Sequence, residues 1–291
     1  MTMLRRFTIV VAFLAALLAF SAFSATNAAP ARADEAEVHY RTALQHKRAG
    51  RMADALREVR EATRMRPAHS AAWLTMGSIL RQQNDLQGAL AAYQRVTDLE
   101  PNSAQGWALM GAIYVRMSRW QDAVDPLRKA VAFDSHDASS WGNLGSALRR
   151  LGKNDEAIAA MQAGLSQVPN DPHLLNNLAV ALRGARRFDE AVAALRTAAT
   201  AMPNDAQIAL NLGITLRSAQ KYEEAIPEYE RAIRLAPTNT DAMFDLAVCY
   251  EQLRRADDAV RAYGRYIEAI RARDPAAAGR AQERIQAVRG N

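Results

Sequence analysis

The sequence predicts an all-α chain, a solenoid of seven helix-turn-helix repeats closed by one further helix. Three observations predict it. The stretch "WGNLGSALRRLGKNDEAIAAM" beginning at Trp141 returns 34 residues later as "LNNLAVALRGARRFDEAVAAL", and after another 34 as "ALNLGITLRSAQKYEEAIPEY". Small residues keep step with that interval. Inside each interval, apolar residues recur at three- and four-residue spacing, the period of one helix face.

Residues 1–33 stand apart. Arg5 and Arg6 precede an apolar run, Ile9 to Phe20, and small residues follow, ending in Ala31-Arg32-Ala33. That order reads as a secretory signal peptide removed after Ala33. The alternative is an uncleaved membrane anchor, although the apolar run is short of the roughly 20 residues a spanning helix needs. The expected location is therefore periplasmic or secreted, or anchored at the inner membrane if the segment is kept. Loss of Arg5, Arg6 and Arg32 lowers the net charge from +6 to +3, a mild excess that does not point to nucleic acid. With 49% hydrophobic and 23% charged residues the chain is too apolar to be disordered. The single cysteine, Cys249, cannot form an internal disulfide, so packing alone must hold the fold.

From Ala36 a 34-residue unit fits without insertion as 36–69, 70–103, 104–137, 138–171, 172–205, 206–239 and 240–273. Position 20 is alanine every time: Ala55, Ala89, Ala123, Ala157, Ala191, Ala225 and Ala259. Position 8 is Ala43, Gly77, Gly111, Gly145, Ala179, Gly213 and Ala247. Position 32 is proline in Pro67, Pro101, Pro169, Pro203 and Pro237, with Ser135 and Arg271 as exceptions. Each unit reads as two helices. Apolar residues at positions 4, 7, 8 and 11 stripe the first, and positions 20, 24 and 27 stripe the second. A polar turn such as "LGKND" separates them, and acids such as Asp155-Glu156 and Asp189-Glu190 open the second helix, facing the positive end of its dipole. Small residues at positions 8 and 20 let the pair approach to the short end of the roughly 8–10 Å range. Pro126 and Pro227 fall inside second helices, near the first turn, where bending without a break is expected. The segment 275–289 forms a capping helix, with Ile285 and Val288 inward and its charges toward water.

This pattern resembles the tetratricopeptide repeat family, whose signature joins Trp-x-x-Leu-Gly-x-x-Tyr to later Ala, Phe and Pro. Here it stands as "WLTMGSIL" at Trp73, "WALMGAIY" at Trp107 and "WGNLGSAL" at Trp141. The resemblance covers residues 36–273 and implies a right-handed superhelix of antiparallel helix pairs, whose inner wall binds a partner segment. Units one and seven depart most from the pattern, as terminal repeats do.

No catalytic or metal site is expected, and no cofactor. Neither a dinucleotide nor a phosphate-binding glycine motif is present. The histidines fall mostly in different units; His39 and His46 are seven apart and read as surface residues. Cys249 reads as an inert packing thiol, and Trp73, Trp107 and Trp141 as core.

The candidate site is the first-helix face formed by positions 2, 5, 6, 9, 12 and 13, which points away from the buried stripe. Position 6 carries Asn143, Asn177 and Asn211 in succession. Position 12 carries Lys47, Arg81, Arg149, Arg183 and Arg217, and position 13 adds Arg48, Arg116 and Arg150. An amide offers both a donor and an acceptor, as a peptide backbone does. With first helices about 10 Å apart and an extended chain rising about 3.3 Å per residue, one asparagine meets every third residue. The arginines favour acidic segments or a free carboxylate. The asparagine stripe is similar to the one lining the superhelix of O-linked N-acetylglucosamine transferases. The expected function is a non-catalytic scaffold gripping an extended or helical, acidic protein segment. The alternatives are a regulatory or targeting subunit of a cell-envelope enzyme or secretion complex, and end-to-end self-association of an otherwise monomeric chain.

Overall fold

The computed structural model describes residues 35–290, and the leader-like segment 1–33 lies outside them. The chain divides into two compact units, one ending at Met117 and the other running from Ser118. The division falls between the two helices of the third repeat.

The first unit holds α1 (35–48), α2 (Met52–Met65), α3 (Ser70–Gln82), α4 (Leu86–Leu99) and α5 (Ala104–Arg116). The second holds α6 (Trp120–Phe133), α7 (Ala138–Arg150), α8 (Asn154–Gln167), α9 (Pro172–Gly184) and α10 (Phe188–Ala201). It continues through α11 (Ala206–Ser218), α12 (Tyr222–Leu235), α13 (Thr240–Gln252), α14 (Ala256–Ile270) and α15 (Pro275–Gly290). Among the described residues the fold is all-helical, and no helix is long and apolar enough to cross a membrane. Consecutive helices pack against each other within each unit, and the first helices of successive repeats also touch: α7 with α9, α9 with α11, α11 with α13. Each unit is thus a stack of helical hairpins.

The small residues explain the stacking. All seven position-20 alanines are fully buried. Glycine at position 8 lies under the side chain at position 24 of the same repeat: Gly77 under Tyr93, Gly145 under Met161, Gly213 under Tyr229. Where position 8 is alanine, position 24 is a fully buried Val59, Leu195 or Tyr263. The tryptophans, expected in the core, are only half-buried, and they do more than fill space. Their indole N–H groups donate to the carbonyl at position 32 of the preceding repeat, Trp73 to Pro67 and Trp107 to Pro101 at 2.8 Å, Trp141 to Ser135 at 2.9 Å. The proline that ends one repeat therefore presents its free carbonyl to the next.

Helix starts follow two rules. First helices are capped at position 34, where Ser103, Asp137, Asp171, Asp205 and Asn239 accept from backbone N–H groups of the first turn. Most second helices carry a basic residue at the cap, without a side-chain cap bond, and it pairs with the first-turn acid, as in Arg187 with Glu190 at 2.7 Å and Arg119 with Asp122 at 2.7 Å. The acids foreseen at these starts thus answer a neighbouring cation as well as the dipole. Two other expectations need correction. Pro126 and Pro227 leave α6 and α12 unbroken, but they stand past the first turn, each removing a genuine i→i−4 bond. On α15, Ile285 is buried as foreseen but Val288 only half-buried, and Arg284, partly exposed, bonds both carboxylate oxygens of Glu251, at 2.9 and 2.8 Å, instead of facing water freely.

The turn between the helices of a repeat demands a left-handed residue at position 15. Gly50, Asn84, Ser118, Gly152, Arg186, Gln220 and Arg254 all have positive φ, between 55° and 78°. Only glycine adopts this region freely, and other residues pay roughly 1 kcal/mol. Arg254→Gly is expected to stabilise the chain by up to about 1 kcal/mol in urea unfolding, and Gly152→Ala to destabilise it by a similar amount.

Candidate functional site

Helices α7, α9 and α11 lie side by side in the second unit, so their position-6 and position-12 residues form two neighbouring rows. The structure does not treat the three asparagines alike. Asn143 and Asn177 are half-buried and line one open-sided pocket of about 300 Å³, together with Ser139, Gly142, His173 and Leu174. A Cβ on Gly142 would stand 3.2 Å from Asn177 Nδ2, so the glycine is what lets that amide lie across α7. Asn211 is buried, its amide nitrogen donating to Asn176 Oδ1 at 2.8 Å and its oxygen accepting from Gln207 at 3.3 Å. Asn211 thus spends both ends of its amide inside the protein and holds Asn176 in place.

The arginine row is also differentiated. Arg217 donates from Nε to the Tyr229 hydroxyl at 3.2 Å and lies 3.4 Å from Asp245. The Tyr229 hydroxyl donates in turn to Asp245 at 3.1 Å. Burial holds that phenol well above its usual range, so it stays a donor. Arg183, half-buried on α9, has a fully enclosed Nη1 with no hydrogen-bond partner. Burial first, then the charges of Arg149 and Arg217, hold its guanidinium below the usual range, with Tyr229 opposing. Burial likewise lowers Arg149, and neighbouring Arg150 adds to that. Arg150 is exposed and stacks its guanidinium 5.6 Å from the Trp120 ring centre. Arg81 is exposed and lies in the first unit, where Lys47 donates to Ser78 at 3.0 Å.

His39, His46 and Cys249 are engaged or enclosed elsewhere. His39 contacts Glu58 at 2.7 Å, and His46 accepts from Arg51 at 2.9 Å. Cys249 is fully buried, and burial pushes its thiol up to about 12, so little nucleophilic thiolate forms near neutral pH. The sequence reading missed Ser139, Gly142 and His173 as lining residues. They stand at positions 2 and 5 of the same outward face, but they do not repeat from unit to unit, and repetition is the signal the sequence carries.

A family model described as the cilia and flagella-associated protein 70 C-terminal domain matches residues 9–245, and a tetratricopeptide repeat model matches residues 216–285. No curated protein matches the chain. Among solved structures the chain is similar to a tetratricopeptide repeat protein from Parabacteroides merdae, at 13% identity and a TM-score of 0.64, over 88% of this chain and 99% of that one. It is also similar to pilF of Pseudomonas aeruginosa, at 16% identity and a TM-score of 0.60, over 77% and 99% respectively. A third is YrrB, described as a tetratricopeptide repeat protein with an unusual peptide-binding site, at 22% identity and a TM-score of 0.52, over 64% and 95%. At these identities the likeness shows the fold alone.

Proposed function

Because the chain belongs to the tetratricopeptide repeat family, whose members are generally protein-interaction scaffolds, we propose that it is a non-catalytic scaffold holding a segment of a partner protein against α7 and α9. The observation that carries this reading is the pocket shared by Asn143 and Asn177, where two amides on neighbouring helices stand at the edge of one open-sided hollow. Each amide can accept from and donate to a peptide group, so the partner's main chain is recognised whatever its side chains. Asn211 serves the same wall from behind, by fixing Asn176. The leader-like residues 1–33 support placing this interaction outside the cytoplasm.

A photo-crosslinker at position 177 in living cells identifies the partner, and the purified pair then gives the affinity. Asn143→Ala together with Asn177→Ala is expected to weaken binding at least tenfold with an unchanged melting temperature. Full affinity in that double variant would exclude this wall as the binding surface.

A further inference from the structure

Averaged over the chain, the charge excess is mild; divided by repeat, it is not. Repeat one, residues 36–69, holds eight Lys and Arg against four Asp and Glu, a net charge of +4. Each of the other six repeats lies between −1 and +1. The excess also has a place. On α2, Arg57, Arg60 and Arg64 stand three and four residues apart, so they share one helix face over about 10 Å. All three are exposed, and with Leu56, Glu61 and Gln83 they line an open hollow of about 490 Å³. Asp54 answers Arg57 at 3.0 Å and Glu61 answers Arg64, but among the described residues Arg60 has no ion pair. Exposed pairs of this kind contribute little and exchange readily for another anion.

The repeats supply their own control. Arg57, Arg60 and Arg64 occupy positions 22, 25 and 29, which in repeat two are Ala91, Gln94 and Asp98. No later repeat has more than one cation among these positions. What the stacking requires recurs at every step, and this triplet does not. It also lies on a second helix, apart from the first-helix wall that carries the asparagines.

We propose that this face of α2 docks on an anionic lipid surface, its guanidinium groups sitting among headgroup phosphates. Two observations favour a bilayer. Repeat one follows directly on residues 1–33, whose apolar run Ile9 to Phe20 reads as a membrane-directed segment. Cations clustered beside such a segment are attracted to anionic lipid, each worth about fivefold in binding. The row is also exposed along its length, which suits a plane of many phosphates better than one enclosed ligand. Docking here leaves the wall of α7 and α9 free, so the two surfaces stand or fall separately.

The test is co-sedimentation of the full chain with two kinds of vesicle, phosphatidylcholine alone and equal parts phosphatidylcholine and phosphatidylglycerol. Residues 1–33 are common to all variants and contribute equally to each. The mixed vesicles are expected to bind at least tenfold more tightly, and added salt to shrink that difference. Arg57→Gln, Arg60→Gln and Arg64→Gln together are expected to cut binding to the mixed vesicles at least tenfold, with phosphatidylcholine binding and melting temperature unchanged. A control removes three exposed arginines from other repeats, Arg186→Gln, Arg234→Gln and Arg254→Gln, and is expected to cost less than threefold. Equal binding to both vesicles overturns the proposal. An equal loss in both triple variants overturns it too, because net charge and not this face would then be at work. Tighter binding of double-stranded DNA or polyglutamate through the same three arginines would assign the face to another polyanion and overturn the lipid reading.

Discussion

Tyr229→Ala is expected to destabilise the chain by about 3–5 kcal/mol, the range for deleting a large buried aromatic. The ring is fully buried and roofs Gly213, whose added Cβ would stand 2.9 Å from the ring edge. Its loss leaves a hollow between α11 and α12 that backbone glycine cannot fill. The hydroxyl adds a second cost, because it both accepts from Arg217 and donates to Asp245. Tyr229→Phe keeps the ring and removes only those bonds, so about 1–3 kcal/mol is expected. At roughly 2–4 °C per kcal/mol for a chain of this size, the alanine variant should melt about 6–20 °C lower. Amide exchange should quicken first in α11, α12 and α13, because a stacked repeat leans on its neighbours alone. A shift no larger for Tyr229→Ala than for Tyr229→Phe would show that the ring contributes little and that the interlock is wrongly described.

Gly77→Ala is expected to cost about 1–3 kcal/mol by overpacking, whereas the same substitution at Gly264 should stabilise by about 0.5–1 kcal/mol. Both glycines lie in helices, where alanine is intrinsically favoured. The difference is tertiary. A methyl on Gly77 would overlap the Tyr93 ring, while a methyl on Gly264 meets nothing within 4 Å. Adding Tyr93→Leu to Gly77→Ala should restore part of the loss, because the smaller side chain makes room for the methyl. Urea unfolding of the three variants decides it. Like-signed effects at both glycines would mean that helix propensity, and not close packing, governs position 8.

Much of the fold was legible because its cause is local and repeated. Alanine at position 20 is required wherever two helices cross closely, and a requirement met seven times leaves a visible register. The turn at position 15 was not legible in the same way. Gly50 and Gly152 announce a left-handed residue, but Arg186, Gln220 and Arg254 occupy the same conformation without any compositional sign. There the surrounding hairpin imposes the backbone angle, and the residue tolerates it. The first-helix caps were overlooked because position 34 varies among Ser, Asp and Asn, which share a hydrogen-bonding role and not an identity.

The candidate site divides along the same line. From residue order alone came the all-helical repeat, its 34-residue step, the face that looks away from the packed stripe, and the asparagines and arginines upon it. Periodicity suffices for these, since helix geometry converts spacing into direction. Only the tertiary structure distinguished Asn211, bonded to Asn176 and sealed, from Asn143 and Asn177, which share a hollow. It alone showed Arg217 satisfied by Asp245 while Arg183 keeps an enclosed, unpartnered nitrogen. Equivalent positions in a repeat carry the same direction but different neighbours, and hydrogen bonding and charge balance are properties of neighbours.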